Sequence, residues 1–155
     1  MPALNLYLQE RSGQDVRKYY AAIFVAAAAG TGKTGKILGY YTLSNAGVSL
    51  GNIPQDLRRK LPRYPEVPAV RLGRLAIDRS MQGRGLGSQL IADAAIRCVQ
   101  NASAWNIMIV DAKDAAAAAF YRKFGFTSLL DDERRLYIPR TSLEAFIQRR
   151  FAHSQ

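Results

Sequence analysis

Short apolar segments alternate with turns and helical patterns along most of the chain. Residues 19–28 are almost wholly apolar and predict a buried strand, and residues 37–43 predict the strand that returns beside it. Residues 70–77 and 107–110 are further apolar runs that predict strands. Hairpins thus occur in the first half of the chain, and strands alternate with helices in the second half. This order predicts a single α/β domain over residues 1–155 with a mixed sheet.

Two longer segments have the apolar spacing of helices. In residues 87–100 the apolar side chains recur every three or four positions, which predicts an amphipathic helix. A second helix is predicted over residues 115–124. Asp114 is a typical N-cap for it, and Gly125 is a typical stop.

Four shorter elements complete the prediction, namely helices over residues 4–14 and 54–61 and strands over residues 126–130 and 135–138. Pro54 suits the first turn of its helix, because its fixed φ is already helical. Residues 141–144 read Thr-Ser-Leu-Glu, the order of a capping box, and predict a final helix. Leu143, Ile147 and Phe151 would face inward from that helix.

The charge balance indicates an anionic partner. The chain carries 22 Lys and Arg against 12 Asp and Glu, a formal net charge of +10. A surplus of this size attracts polyanions such as nucleic acid or an acidic protein. The alternative is that part of the surplus neutralises a highly charged cofactor.

The remaining composition favours the cytoplasm. No apolar run is long enough to span a bilayer, and the N-terminus lacks the basic-then-apolar order of a secretory signal. A single cysteine, Cys98, leaves no internal disulfide framework. We therefore expect a cytoplasmic protein without a membrane partner.

A glycine-rich turn between the strand at 70–77 and the helix at 87–100 is the main candidate for chemistry. It reads Gln82-Gly-Arg-Gly-Leu-Gly87. Such a turn directs backbone N–H groups and a helix N-terminus at one point, an arrangement that binds phosphate. Arg79 and Arg84 add positive charge beside it, so the sequence predicts a pyrophosphate site.

Two other phosphate-binding patterns match less well. Residues 27–34 fit a relaxed P-loop spacing, but a strand pattern follows where a working P-loop needs a helix. Gly83, Gly85 and Gly87 lack the G-x-G-x-x-G spacing of a dinucleotide site, and no acidic residue follows about twenty residues later. Coenzyme A is the third possibility.

The turn closely resembles the acyl-CoA loop of the GNAT N-acetyltransferase superfamily, which has the form Q/R-x-x-G-x-G/A. Arg74-Leu-Ala-Ile-Asp78 ahead of the loop supports this resemblance. So does Ala119-Phe-Tyr-Arg-Lys-Phe-Gly-Phe126, which resembles the family's A-x-x-F-Y-x-x-x-G-F signature. The resemblance implies the GNAT fold, acetyl-CoA as cofactor, no metal, and direct acetyl transfer to a primary amine.

Over nearly its whole length the chain resembles one branch of the GNAT superfamily. This branch contains the acetyltransferase toxins of bacterial type II toxin–antitoxin modules. The similar segments are residues 4–8, 13–17 and 39–43, the basic proline-rich stretch to Pro68, and residues 71–78. This resemblance implies acetylation of the α-amine of aminoacyl-tRNA, which blocks translation. It also implies a ribbon-helix-helix antitoxin as partner and a possible homodimer. Such toxins usually have a strand before their first helix, and either that strand is missing here or the predicted start site is too late to include it.

The resemblance assigns residues to acetyl-CoA. Leu75, Ala76 and Ile77 would line the acetyl and pantetheine arm, on a strand that splays from its neighbour at 107–110. A backbone N–H of Leu75 or Ala76 would polarise the thioester carbonyl. The remaining cofactor contacts are expected from Gln82, Gly83, Arg84, Gly85, Leu86, Gly87, Ser88 and Phe120.

The resemblance also assigns Tyr121 as general acid, because a leaving thiolate benefits from a nearby phenolic proton. No general base stands out. Asp78 and Asp111 are possible, and His153 lies near the C-terminus, where chains tend to fray. A free α-amine titrates near 7.7–8.0, and an adjacent ester lowers its pKa further, so much of it would already be neutral at cytoplasmic pH without help from a base.

Eight cationic residues are candidate contacts for an acidic acceptor or antitoxin: Arg58, Arg59, Lys60, Arg63, Arg74, Arg79, Arg135 and Arg140. Arg71 and Arg134 are further candidates, and any one of these cations could simply be solvated. Two other functions stay open on the sequence. One is a GNAT enzyme that acetylates a small amine or a protein N-terminus, and the other is a non-catalytic nucleic-acid-binding module that keeps the acyl-CoA fold.

Overall fold

The structure is a computed structural model that describes residues 21–27, 36–101 and 103–152. The chain divides into two compact units. Unit 1 consists of Met1–Ser44 and Leu72–Ala94, and unit 2 of Asn45–Arg71 and Ala95–Gln155. The helix predicted over 4–14 and the turn predicted at 29–36 lie outside the described residues, apart from Lys36. So does the N-terminal region that bears on a missing first strand.

Six strands and four helices make up the described fold. The strands are β1 (Ala22–Ala27), β2 (Ile37–Ser49), β3 (Glu66–Ile77), β4 (Ile107–Asp111), β5 (Thr127–Ser128) and β6 (Arg135–Pro139). The helices are α1 (Gln55–Arg58), α2 (Leu86–Gln100), α3 (Ala115–Phe124) and α4 (Arg140–Ala152). Short 3-10 turns precede α1 at Leu50–Asn52 and α2 at Arg79–Met81.

The strands form one sheet in the order β1-β2-β3-β4-β6-β5. β1 pairs antiparallel with β2, and β6 pairs antiparallel with both β4 and β5. β3 and β4 are neighbours although α2 lies between them in sequence, which is the connection that parallel neighbours use. The mixed sheet predicted from the sequence is therefore confirmed.

The hairpin of β1 and β2 is confirmed, but the prediction that its first strand is buried is wrong. None of the six residues of β1 is buried, and the side chain of Val25 is 48% exposed. The physical reason is the position of β1 at the end of the described strand order, where its one neighbour among the described strands is β2. The apolar composition of this segment does not by itself specify a central strand.

β3 is longer than predicted and begins at Glu66 rather than at residue 70. Pro68 lies within this extension and cannot donate to a strand ladder. Its carbonyl still accepts a hydrogen bond from the N–H of Asn106, with a donor–acceptor distance of 2.9 Å. The prediction therefore began this strand too late, because Pro68 lacks an N–H donor, although its carbonyl can still accept a hydrogen bond.

The capping box predicted at 141–144 is wrong, although the final helix is present. The helix α4 begins at Arg140, so Thr141 is already inside it. The Glu144 carboxylate accepts from Arg140 Nε at 2.8 Å instead of capping the first turn. Leu143 is fully buried as predicted, whereas Ile147 is half-buried. The side chain of Phe151 lies outside the described part of the chain.

Each unit has its own apolar packing. In unit 2 a core cluster draws on β2, β3, β4, β6 and the loops around them, and consists of Val48, Ile53, Val67, Ala69, Ile107, Ile109, Leu129 and Tyr137. In unit 1 Tyr40 and Ala76 are buried together, and Ile23 packs against them. Within the described ranges, no helix is both long enough and apolar enough to cross a bilayer.

Candidate functional site

The glycine loop of unit 1 adopts a backbone that requires glycine at two positions. Gly83 and Gly85 both have φ of +78°, a region that residues with a Cβ rarely adopt. A Cβ added at either position would meet no atom within 4 Å. The requirement therefore comes from backbone conformation, and the open space beside both residues lets a ligand approach the main chain.

The loop leads directly into α2 and leaves free donors at the helix N-terminus. Gln89 N donates to Gly85 O at 3.2 Å, which starts the helical hydrogen-bond ladder. The N–H groups of Leu86, Gly87 and Ser88 lie in the first turn, before that ladder begins, and therefore have no hydrogen-bond acceptor within the helix. Together with the partial positive charge of the helix N-terminus, these donors form an anion-binding site.

Close packing fixes the start of α2. Leu86 is 8% exposed and Leu90 is 6% exposed. A Cβ at Gly39 of β2 would lie 2.9 Å from the Ala76 carbonyl and 3.1 Å from Leu90 Cδ1, so only glycine leaves room for this approach. The hydroxyl of Tyr41 also hydrogen-bonds the Asp93 carboxylate on α2. The packing of β2 against α2 thus fixes the position of the loop that leads into α2.

The end of β3 lies immediately before the loop in the same unit. Leu75 and Ile77 are half-buried and Ala76 is buried. Asp78 N donates to Leu38 O at 2.8 Å, so this end of β3 is tied to β2. The structure therefore places the predicted acyl-arm residues and the predicted pyrophosphate loop in one unit, in continuous sequence.

Asp78 has a local structural role rather than that of a base. Its carboxylate accepts from Ser80 N at 3.1 Å and from the Ser80 hydroxyl, and it pairs with Lys36 Nζ at 3.3 Å. The hydrogen bonds from Ser80, and then Lys36, lower the pKa of Asp78. A carboxylate with a lowered pKa is a poor proton acceptor, so this prediction is not supported.

The surface of the loop is cationic. Gln82, Arg84 and Arg79 are exposed, and no acidic residue occurs between Arg79 and Asp93. Arg74 is also exposed, and its charge acts on Tyr40, whose pKa is raised by burial and lowered in part by Arg74. The electrostatics of this region favour a phosphorylated ligand.

Tyr121 lies on α3 in unit 2, with both ends of its helix formed as predicted. The Asp114 carboxylate caps the helix by accepting from Ala117 N at 2.8 Å. Gly125 ends it with φ of +125°. Between these caps Tyr121 is 8% exposed, and its ring contacts Phe120 and Phe126 edge-on at centroid distances of 5.4 and 5.5 Å.

Burial raises the pKa of Tyr121 to about 12. The phenol is therefore fully protonated at neutral pH, as a proton or hydrogen-bond donor must be. An ordinary thiol has a pKa near 8.5, well below that of this phenol, so complete proton transfer from the phenol to a thiolate would be unfavourable. Tyr121 is thus better suited to donate a hydrogen bond to a developing thiolate than to protonate it fully.

Two of the eight predicted cationic contacts, Arg135 and Arg140, form ion pairs within unit 2. Arg135 pairs with Asp131 at 2.6 Å and with Asp111 at 3.3 Å. Arg140 pairs with Glu144, donates to Val99 O at 3.3 Å, and stacks over the Trp105 ring at 4.7 Å. These contacts stabilise unit 2 itself and argue against a role in binding a partner.

Asp111 is likewise part of an internal ion-pair network, since Arg71 also contacts it at 2.6 Å. Its carboxylate is therefore committed to two guanidinium groups, which does not favour its use as a base. Cys98 is buried, and burial raises the pKa of its thiol to about 11, so it is no nucleophile. His153 lies outside the described residues.

The remaining cations of unit 2 form a contrasting group, namely Arg58, Arg59, Lys60 and Arg63. Among the residues that the structure describes, none of the four forms an ion pair. Tyr64, which follows them directly, is 71% exposed. No role for Tyr64 was predicted from the sequence. Its position between Pro62 and Pro65, at the end of a basic run, could have indicated an exposed residue.

Comparison with protein families identifies the class. The model of the acetyltransferase (GNAT) domain matches residues 20–128, which include the glycine loop and Tyr121. The chain therefore belongs to the GNAT acetyltransferase family. The predicted family and fold class are confirmed.

Individual relatives are similar over most of the chain. A tRNA-acetylating toxin of Mycobacterium tuberculosis (strain ATCC 25618 / H37Rv) is 38% identical over 127 residues, which cover 81% of this chain and 72% of the relative. The crystal structure of a tyrosine-to-phenylalanine mutant of KacT is 31% identical with a TM-score of 0.86. AtaT complexed with acetyl-methionyl-tRNAfMet is 31% identical with a TM-score of 0.84. Each of these two matches covers 94% of this chain and 86% of the other.

Proposed function

We propose that this protein transfers the acetyl group of acetyl-CoA to the α-amine of aminoacyl-tRNA and is a toxin that blocks translation. The observation that carries the proposal is the glycine loop at the start of α2, in a chain of the GNAT family. The acceptor is supported by the relative named a tRNA-acetylating toxin and by the AtaT complex with acetyl-methionyl-tRNAfMet. The cofactor is supported by the related AtaTR structure bound with AcCoA.

The residues of unit 1 fit the donor. The N–H groups of Leu86, Gly87 and Ser88, with the backbone of the loop, would hold the pyrophosphate. Arg79 and Arg84 would neutralise its charge. The backbone of Leu75–Ile77 would pair with the pantetheine arm, and an N–H of Leu75 or Ala76 would polarise the thioester carbonyl.

Acetyl-CoA, when bound, supplies the acetyl thioester. The amine nitrogen of the acceptor forms a bond to the carbonyl carbon, the carbon–sulfur bond breaks, and the nitrogen releases one proton to solvent. Tyr121 would donate a hydrogen bond to the sulfur as it takes up negative charge. No general base is required, because the adjacent ester lowers the pKa of the α-amine below its ordinary value of about 7.7–8.0, so that much of the amine is neutral at neutral pH.

The partners follow from the same proposal. An antitoxin of the ribbon-helix-helix type would neutralise the toxin, a role supported in general by the related AtaT bound to the C-terminus of the antitoxin AtaR. The protein would act in the cytoplasm. It would form one GNAT domain, a proposal supported by the single family model that matches residues of both units. The resemblance to these toxins also implies a possible homodimer.

The decisive experiment measures acetyl transfer to three acceptors: aminoacyl-tRNA, a small primary amine, and a peptide with a free N-terminus. We expect turnover on aminoacyl-tRNA to exceed that on the other two. Preference for a small amine or a peptide would overturn the acceptor, and RNA binding without turnover on any amine would overturn the enzyme.

The loop is tested by Gly85→Ala, which forces a Cβ into a positive φ. We expect a rise of roughly tenfold in the KM for acetyl-CoA, because the strain of about 1–2 kcal/mol displaces the cradle. Gly51→Ala is the matched control, since Gly51 also has open space around it but no positive φ. Equal effects of the two substitutions would remove the loop from the donor site.

A further inference from the structure

Residues 58–64 form a surface of unit 2, here called the basic segment, which is anchored by apolar residues on either side of its cations. Leu57 and Leu61 pack against the core cluster that contains the fully buried Ile53. Turn hydrogen bonds run from Lys60 N to Leu57 O at 2.9 Å and from Leu61 N to Arg58 O at 3.2 Å. Because the leucines are held inward, Arg59, Lys60 and Arg63 are exposed, while Arg58 is half-buried.

The segment carries a surplus of positive charge. Residues 57–65 contain four cations and no acidic residue, and the preceding Asp56 exerts its charge on Tyr137. Glu66 follows them, but its side chain lies against the backbone of β2 at Gly47, where an added Cβ would collide with it. Within the described ranges the four cations have no ion-pair partner. An uncompensated cluster of this kind on a folded element is suited to bind an anion.

Tyr64 adds an aromatic ring to this charge. Its side chain is 71% exposed, whereas Tyr40, Tyr41, Tyr121 and Tyr137 are each 8% exposed or less. A residue before proline is confined to extended conformations, so Pro65 restricts the backbone of Tyr64. Leu50 N donates to Pro65 O at 3.0 Å and ties this end of the segment to the 3-10 turn after β2. The exposed ring is therefore presented on a restrained backbone.

We propose that the basic segment binds unpaired nucleotides of the RNA acceptor, with the Tyr64 ring stacked on a base and the four cations on the neighbouring phosphates. This proposal rests on the function proposed above and specifies how the acceptor is held. An acidic protein would satisfy the cations equally well. The exposed ring favours unpaired RNA, because a splayed base offers a flat face for stacking that a paired base in a helix does not.

The test compares the affinity of the full chain for three probes: deacylated tRNA, an unstructured single-stranded RNA, and a blunt RNA duplex. Tyr64→Ala is expected to weaken binding of the single-stranded RNA by roughly 5- to 150-fold, the range for loss of one stacked base. Tyr64→Phe keeps the ring and is expected to retain the affinity. Binding of the duplex should not change with either substitution.

The cations are tested by the salt dependence of the same binding. The double variant Arg59→Gln with Lys60→Gln is expected to reduce the slope of log affinity against log salt by about 1.4, or about 0.7 for each phosphate contact on a single strand. Tyr64→Ala should leave that slope unchanged, because stacking releases no counterions. Thermal unfolding of each variant shows whether the fold is kept.

The proposal is overturned if folded Tyr64→Ala binds single-stranded RNA as the unchanged protein does, or loses duplex binding to the same extent. It is also overturned if Tyr64→Ala weakens binding of a poly-glutamate peptide but of no RNA, because the surface would then serve an acidic protein. Acetylation assays separate this inference from the proposed function. RNA binding that depends on Tyr64, without acetylation of aminoacyl-tRNA, would sustain the surface and reject the activity.

Discussion

Two regions of unit 2 use the same kinds of side chain in opposite ways. Around α3 and α4, Tyr121 is enclosed by aromatic rings and Arg140 is held by an ion pair, a carbonyl and the Trp105 ring. In the basic segment, Tyr64 is exposed and four cations lack ion-pair partners among the described residues.

The difference shows that residue type does not decide whether a tyrosine or an arginine serves folding, chemistry or binding. An arginine whose guanidinium has its hydrogen bonds satisfied would lose them on binding a phosphate, so little free energy is gained. An exposed arginine exchanges only water and counterions, and their release favours binding. The partners that fix Arg135 and Arg140 therefore remove them from the candidate contacts, whereas Arg58, Arg59, Lys60 and Arg63 remain.

The largest effect is expected from Tyr121→Phe, which tests whether the enclosed tyrosine has a chemical as well as a packing role. Loss of the phenolic hydroxyl should lower kcat for acetyl transfer by about 10²–10³-fold, the usual cost of removing one hydrogen-bond donor to a developing negative charge. The measurement is single-turnover transfer at saturating acetyl-CoA. Tyr137→Phe is the control, because it removes the same hydroxyl from another buried tyrosine of unit 2. A rate equal in both variants would make Tyr121 a packing residue.

The second effect concerns alkaline stability and the enclosed phenol alone. Burial raises the pKa of Tyr121 from 10.0 to about 12, so the folded state retains a proton that the unfolded state loses first. Its contribution is present below pH 10 and falls by about 1.36 kcal/mol per pH unit from pH 10 to pH 12. Urea unfolding of the protein and of Tyr121→Phe should therefore diverge by about 2–3 kcal/mol across this window. Parallel curves would mean that the phenol is not desolvated.

Arg140→Ala tests the paired cation in the same way. It removes an ion pair to Glu144, the contact over Trp105 and a hydrogen bond to Val99 O. The Glu144 side chain is 43% exposed, so solvent screens the ion pair, which contributes only about 0.3–0.5 kcal/mol, as is usual for an i,i+4 pair on a helix. With about 0.5–1 kcal/mol from the cation–π contact, we expect the free energy of unfolding to fall by about 1–2 kcal/mol. RNA affinity that falls while stability is unchanged would reverse the comparison.

The smallest effect on stability is expected in the basic segment. Arg59→Gln with Lys60→Gln removes two exposed charges that have no ion-pair partner within the described residues. The free energy of unfolding should change by no more than about 0.5 kcal/mol, as for most surface substitutions. Chemical denaturation is the measurement, and a loss above about 1 kcal/mol, roughly twice the usual range for a surface substitution, would show that these cations support the fold.

Features that depend on neighbours in sequence were predictable. Asp114 caps α3 and Gly125 ends it, because both act through backbone groups within one helical turn. The loop before α2 was predictable for the same reason, since Gly83 and Gly85 meet a local requirement for positive φ. The capping box at 141–144 failed because Arg140 competes for the Glu144 carboxylate, a choice that four residues of sequence do not reveal.

The sequence by itself determined the strand-loop-helix order of the donor site, the signature around Tyr121 and the surplus of positive charge. Folding places β1 at the end of the described strand order, pairs Arg135 and Arg140 inside unit 2, and leaves Tyr64 exposed beside four cations that form no ion pair within the described residues. The physical reason is range. Backbone conformation is set by adjacent residues, whereas burial and ion pairing depend on groups that lie far away along the chain and become neighbours only on folding.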